Sequence, residues 1–405
     1  MKKIVYILLL VVIGFISFGC DNGGKENYTK SNIIISKYYS TSDLDNTAIE
    51  LYNLSQKDID LSEWMIEIYS NGESIVSYQI ELSGTIKAQD YFVIARSMVT
   101  DEILKEKADL ENNDLLFNGD DVIVLKQGDK TQDIIGDIGG TVEFGKFVTL
   151  IRKPAYMKAR SKYQPYDFIM YLEGMFQYLK NEDFPVKTDE ELNKGPILLD
   201  EYRELPFVSE SDSNLGGGGV IEVNLLSVAD GDTATFETKD DSRPFLDSAG
   251  QYTKQVKLRF TLIDTKENSP GGVGVEEWGQ PASVFMKHLL NQAKSRGAKI
   301  EIQSVLNGGL RDTYLRYLGY VWIDGYLANF MVVRAGLSDV RSQDLTTEAR
   351  AFHYLNVPYV GYCENAYVRA KNNGWGIHGE KDLMWDYANS KPIPNALPQL
   401  PDPRE

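Results

Sequence analysis

Four consecutive glycines, Gly216 to Gly219, constrain this chain more than any other feature. Residues without a Cβ lose the most conformational freedom on ordering, so the run reads as a flexible joint rather than as helix or strand. It divides 405 residues into two globular regions, in line with about 150 residues per domain. The stretch before it is acidic and carries Pro185, Pro196 and Pro206, which extends the expected linker to 184–218. Beyond the second region, Pro392, Pro394, Pro398, Pro401 and Pro403 predict an extended, unpacked tail within 381–405.

The N-terminus bears on the compartment. Lys2 and Lys3 precede an apolar run from Ile4 to Phe18, and Gly19-Cys20 follows. The run is shorter than the ~20 residues that span a bilayer. A charged start, a short apolar core and a small residue are the parts of a secretory signal. Cysteine directly after the small residue resembles a bacterial lipobox. The implied division is a signal peptide over 1–19, lipidation of Cys20 and a polar tether over 20–30. The chain is then an exported, membrane-anchored lipoprotein on the extracytoplasmic face. An uncleaved anchor is the other reading. Cys363 is the one other cysteine, so no structural disulfide is expected.

Residues 31–183 read as β. Short apolar or alternating runs recur, among them Ile33-Ile34-Ile35, Tyr91-Phe92-Val93-Ile94 and Val122-Ile123-Val124-Leu125. Turn signals at Asn71-Gly72, Asn118-Gly119 and Gly139-Gly140 separate them, a spacing that suggests a sandwich. Its many aspartates read as a solvated face, and no catalytic cluster stands out.

The second region, 219–380, changes period. Glu222 to Val228 and Val256 to Ile263 read as strands, Ala282 to Ser295 and Tyr326 to Leu337 as helices. Asp232 and Asp264 fall at strand ends, which a closed barrel can bring together. Two carboxylates and a carbonyl suit a hard divalent cation such as calcium. Glu267, three residues past Asp264, is near enough to take a proton from an attacking water. Arg259 and Arg316 offer planar forks that can neutralise phosphoryl oxygens. Such residues are what phosphodiester hydrolysis needs, although each taken singly is more often a turn or surface residue. His288, His353 and His378 receive no role.

Two resemblances sharpen this reading. Ala48-Ile49-Glu50-Leu51-Tyr52-Asn53, Asp60 to Trp64, Leu116 to Asp121 and Gly145 to Lys153 resemble a lamin-tail domain, which implies an immunoglobulin-like all-β sandwich whose ligand is unknown. Asp230 to Thr233, Leu258 to Glu267, Gly274 to Ala282, Arg311 to Gly325 and Asn329 to Leu337 resemble the staphylococcal-nuclease family in order and spacing. The second resemblance implies an α+β OB-fold barrel with packed helices. It also implies calcium held by Asp232, Asp264 and the carbonyl of Thr265. Glu267 becomes the general base, Arg259 and Arg316 hold the scissile phosphate, and Tyr314 contacts a terminal phosphate. The implied partner is DNA or RNA, cut to 3′-phosphorylated products. The alternative is a non-enzymatic surface module that binds through the lamin-tail-like domain and a degenerate barrel.

Three departures stand out: Lys266 in place of a proline, Leu315 in place of a glycine and Thr313 in place of a lysine. No tyrosine follows Gly336 at the family's base-stacking position. An insertion over 341–362 offers Tyr354, Tyr359 and Tyr362, for stacking or for packing. Charge is unevenly placed. The chain carries −17, with −13 between Ser31 and Leu150 and only −2 over 219–380. Local arginines and calcium, rather than a broad basic patch, are therefore expected to capture substrate, with little salt dependence.

Overall fold

The computed structural model describes residues 27–393, apart from 141, 210–213, 240, 242–243, 248–249, 269–273 and 342–350. The expected signal segment, Cys20, most of the tether and residues 394–405 of the tail lie outside the described residues. The first half of the tail, expected to be unpacked, folds back on the second region: Trp385–Asp386 pairs with Lys391–Pro392, Met384 is buried, and the buried Asp382 accepts from Trp278 N–H at 2.9 Å.

The first region is a two-sheet sandwich. Its strands are β1 (Ile33–Tyr39), β2 (Ala48–Asn53), β3 (Trp64–Tyr69), β4 (Tyr78–Glu81), β5 (Tyr91–Ala95), β6 (Leu110–Glu111), β7 (Val122–Gln127), β8 (Lys130–Ile135), β9 (Val148–Arg152) and β10 (Phe168–Leu172). One sheet runs β10-β9-β1-β2-β5-β6 and the other β8-β7-β3-β4. Alternate residues of β1 and β2, Ile33, Ile35, Ile49 and Leu51, meet Ile66, Ile68, Ile123 and Leu125 from the facing sheet in one apolar core. The period-two alternation makes this possible, because it puts one set of side chains on the inner face. Most of β1 and β2 is buried on the outer face as well, by the segments that follow β10.

Buried charges in the sandwich have partners. The Asp133 carboxylate, wholly buried, takes hydrogen bonds from Arg152 Nη2 (2.7 Å) and from the backbone N–H of Ile35 and Arg160 (2.8 Å each). Asp167 takes Arg160 in turn. Lys37 and Glu50 form a second buried pair at 2.7 Å. A buried charge is tolerated only with such partners.

Half of the glycine run is strand, and none of it is a loose joint. Leu215–Gly217 (β11) lies in a two-stranded sheet with Leu306–Gly309. A Cβ on Gly216, Gly217 or Gly219 would collide with the carbonyls of Val305, Pro206 or Leu205. The glycines are there for close backbone approach, which outweighs their entropic cost.

The preceding linker is likewise packed. Helices Glu102–Lys107 (α1) and Asp189–Asn193 (α2) flank the sandwich, and α2 opens with a capping box between Thr188 and Glu191. Phe184, Val186, Leu192, Leu198, Tyr202 and Phe207 join one continuous apolar cluster with the second region. Arg203 binds Glu301 through two hydrogen bonds of 2.9 Å, and Leu198 N–H donates to the carbonyl of Gly325. Lys153, 1% exposed, donates to Asp189 (2.7 Å), to Asn365 (2.8 Å) and to the carbonyl of Tyr166. That one ammonium joins the sandwich, the linker and the last helix.

The second region is a closed barrel. Its strands are β12 (Val220–Val228), β13 (Thr233–Thr238), β14 (Gln255–Phe260), β15 (Ile263–Thr265), β16 (Ile300–Ser304), β17 (Leu306–Gly309), β18 (Tyr317–Ile323), β19 (Tyr326–Leu327) and β20 (Ser338–Val340). The order β14-β13-β12-β16-β18 closes because β14 also pairs in parallel with β18. Helices α3 (Gly279–Ser295), α4 (Ala328–Arg334) and α5 (Tyr359–Asn373) pack outside. The expected helix over Tyr326 to Leu337 is shorter, since Tyr326 and Leu327 pair with β18 and Gly336 ends the turn at φ 73°. The expected strand over Val256 to Ile263 breaks at Leu262, where φ is 72°. That break turns β15 away to pair with β20.

Candidate active site

The turn between β12 and β13 and the break after β14 build the site together. Gly231 sits where a Cβ would lie 2.8 Å from the Thr265 side chain and 2.9 Å from Ala282. Its bareness lets the turn press against β15 and α3. The carbonyl of Asp232 accepts from Phe260 N–H at 2.8 Å, which fixes the turn on β14.

Four expected site residues meet directly. Asp232 is 5% exposed. Its Oδ2 accepts from Thr265 N–H and Thr265 Oγ1, both at 3.0 Å, and pairs with Arg259 Nη1 at 2.7 Å. Arg259 Nη2 reaches Asp264 Oδ1 at 2.6 Å, so one guanidinium bridges both carboxylates. Arg259 Nη1 also donates to the carbonyl of Ile263. Burial raises the Asp232 carboxyl to about 6, with Asp230 adding to the rise and Arg259 opposing it.

Arg316 joins through a relay. Its Nη1 donates to Thr233 Oγ1 at 3.3 Å, and Thr233 Oγ1 donates to Asp232 Oδ1 at 3.1 Å. Asp312 aims it, accepting from Arg316 Nε at 2.7 Å and from the backbone N–H groups of Tyr314 and Arg316 at 2.9 Å. Leu315, in the glycine-like position of this turn, has φ 61°. Tyr314 is 80% exposed, with the Arg316 guanidinium 5.5 Å from its ring centre.

Glu267 stands apart. It is exposed on the loop after β15, and its carboxylate has no recorded partner among the described residues. Its backbone is held by Glu276: Glu267 N–H donates to Glu276 Oε2 and Glu276 N–H to the Glu267 carbonyl, both at 2.9 Å. Lys266 ties the same loop to β20 through Asp339 at 3.1 Å. These contacts hold the turn that a proline at 266 would have stiffened. Residues 269–273 of the loop that follows lie outside the described residues.

Residue models of two families match the chain. A lamin tail domain matches residues 26–138, and a staphylococcal nuclease homologue matches 257–357. This chain carries a lamin tail domain and a staphylococcal nuclease domain. Relatives of the nuclease domain agree. The thermonuclease of Staphylococcus hyicus is 27% identical over 179 residues, 42% of this chain and 88% of that protein. Endonuclease YncB of Bacillus subtilis (strain 168) is 32% identical over 87 residues, 22% of this chain. The SPbeta prophage-derived endonuclease YokF of the same organism is 29% identical over 123 residues, 30% of this chain. The chain spans only 34% of YokF and 38% of YncB.

Several neighbours in the nuclease domain escaped the sequence reading: Thr233, Glu276, Asp312, Asp339 and Arg341. The i, i+4 spacing of Asp312 and Arg316 was the one signal available for any of them. Of the insertion's tyrosines, Tyr359 and Tyr362 are buried, and Tyr354 packs on Tyr362. Tyr359 lies against Trp322, Tyr320 and Phe352, so these rings are core rather than a base platform. Among the described residues no group of three His, Cys, Asp or Glu side chains is placed to hold a metal ion. The donors that the resemblance implies are two carboxylates and a carbonyl. All are oxygen, and both carboxylates already converge on one cation, the Arg259 guanidinium. That chemistry fits a hard divalent ion which completes its shell with water.

Proposed function

We propose that the nuclease domain hydrolyses phosphodiester bonds of DNA or RNA with calcium, leaving 3′-phosphorylated products. The observation that carries the reading is the convergence of Asp232 and Asp264 on Arg259, with Arg316 joined to Asp232 through Thr233. The relatives, two endonucleases and a thermonuclease, support the same class.

Asp232, Asp264 and the Thr265 carbonyl would hold the ion, which when bound supplies positive charge to the phosphoryl oxygens. The arginines bind the phosphate and neutralise the charge that develops as water attacks phosphorus. Glu267 takes the proton from that water, and its exposure leaves it able to turn into the cleft. The bond to the 5′ oxygen breaks, so the phosphate stays on the 3′ side. Tyr314, at the rim, contacts a terminal phosphate. Lipidation of Cys20 would place this activity on the outer face of a membrane, where released nucleotides can be scavenged.

The test uses the whole chain, because residues 184–208 belong to the nuclease domain's core. DNA degradation should require calcium and stop with a chelator. Glu267→Gln and Arg316→Ala should each lose about 10²–10³-fold in rate. Full activity in both variants would sink the reading and favour the non-enzymatic surface module.

A further inference from the structure

Asp264 carries one contact that this reaction does not use. Its Oδ1 is held by Arg259 at 2.6 Å and its Oδ2 by Nη2 of Arg341 at 2.8 Å. Both oxygens of an expected metal ligand are thus engaged by guanidinium groups.

The two arginines are held differently. Arg259 is nearly buried, binds Asp232 as well, and donates to a backbone carbonyl. Arg341 stands at the end of β20, its side chain 68% exposed, and Asp264 is its one ion-pair partner among the described residues. Its backbone is fixed, since Arg341 N–H donates to the Leu262 carbonyl at 2.8 Å. Only the side chain needs to swing.

A cation that binds Asp264 brings positive charge beside both guanidinium groups and competes with them for the carboxylate. Pulling away Arg259 would take one of two carboxylates from a nearly buried guanidinium, the larger cost. Releasing Arg341 returns an exposed group to water at small cost. There is also a reason for a cation to be built in here. Asp264 and Asp339 face each other in register across β15 and β20. Like charges so placed repel. Lys266 takes Asp339 and Arg341 takes Asp264, which neutralises the pair.

We propose that Arg341 is a resident counterion of Asp264, displaced when a divalent cation binds, so that it sets the metal affinity of the site. The proposal rests on the calcium reading above. The experiment is calcium titration by calorimetry, without nucleic acid, on the full chain as wild type, Arg341→Lys, Arg341→Ala and Arg341→Glu. Arg341→Ala should bind about two- to five-fold more tightly than wild type, as loss of one exposed ion pair implies. Arg341→Glu should bind more tightly still, and Arg341→Lys close to wild type. The gap between wild type and Arg341→Ala should shrink as salt rises from about 0.05 M to about 0.5 M. Equal calcium affinity in all four proteins, or weaker binding by Arg341→Ala, overturns the counterion role and leaves the calcium reading standing. Failure of all four to bind calcium overturns both.

Discussion

In the lamin tail domain Asp133 is wholly buried and every contact around it is closed within the protein. In the nuclease domain Asp264 is about one-third exposed and its partners include a guanidinium that is mostly in water. Both are aspartates paired with arginine. The first pair has no face left for a ligand, so its role is to specify the sandwich. The second is reached by solvent, and its more exposed partner, Arg341, is the group proposed above to be displaced. Pairing alone therefore does not separate structural charge from functional charge; the solvent access of the weaker partner does.

Substitutions should separate the two regions sharply. The largest effect is expected for Asp133→Ala, which takes from the buried Arg152 its nearer carboxylate and leaves it Asp167 at 3.7 Å. It should cost about 3–5 kcal/mol of stability by denaturant unfolding. Arg316→Ala, proposed above to remove most of the nuclease rate, should cost less than about 1 kcal/mol in the same assay, because its pair with Asp312 is partly exposed. Similar stability losses for the two would erase the distinction.

A smaller effect is expected at Leu315. A leucine at φ 61° is strained by about 1–2 kcal/mol, and a glycine is not. Leu315→Gly should raise the unfolding midpoint while leaving Arg316 on Asp312. A lower midpoint would mean that the turn is not strained.

The smallest effect concerns the linker. Burial would raise the Glu301 carboxyl, but Arg203 and Lys299 outweigh it and the net shift is downward from 4.5. The folded value lies below the unfolded one, so Glu301 contributes stability above the unfolded value. That contribution is lost as pH falls through the folded one. Wild type should therefore be more stable than Glu301→Gln near pH 7, and the two should converge once the medium is acid enough to protonate Glu301 in the folded protein. A constant gap across that range would show that the linker contact is not electrostatic.

Much of the architecture is legible in the sequence. Period-two runs locate the sandwich strands, and the motif order from Asp230 to Leu337 locates the barrel. Elsewhere local pattern misleads. Gly216 to Gly219 look like a joint because backbone entropy is a local property, whereas the carbonyls of Val305, Pro206 and Leu205 that require bare backbone come from distant or folded-back segments. Tyr359 reads equally as a stacking ring or as core, and only its contacts with Trp322 and Phe352 decide.

The candidate site divides in the same way. Residue types and order in the chain determine that carboxylates, arginines and a spare glutamate exist on two strand ends and a loop. Tertiary structure decides that Arg259 bridges Asp232 and Asp264, that Asp312 and Thr233 aim Arg316, and that Arg341 reaches Asp264 from a strand 77 positions later. The physical reason is that side-chain chemistry is carried by each residue alone. Distance and burial, which turn a charge into a ligand, a clamp or a counterion, depend on segments that meet only when the barrel closes.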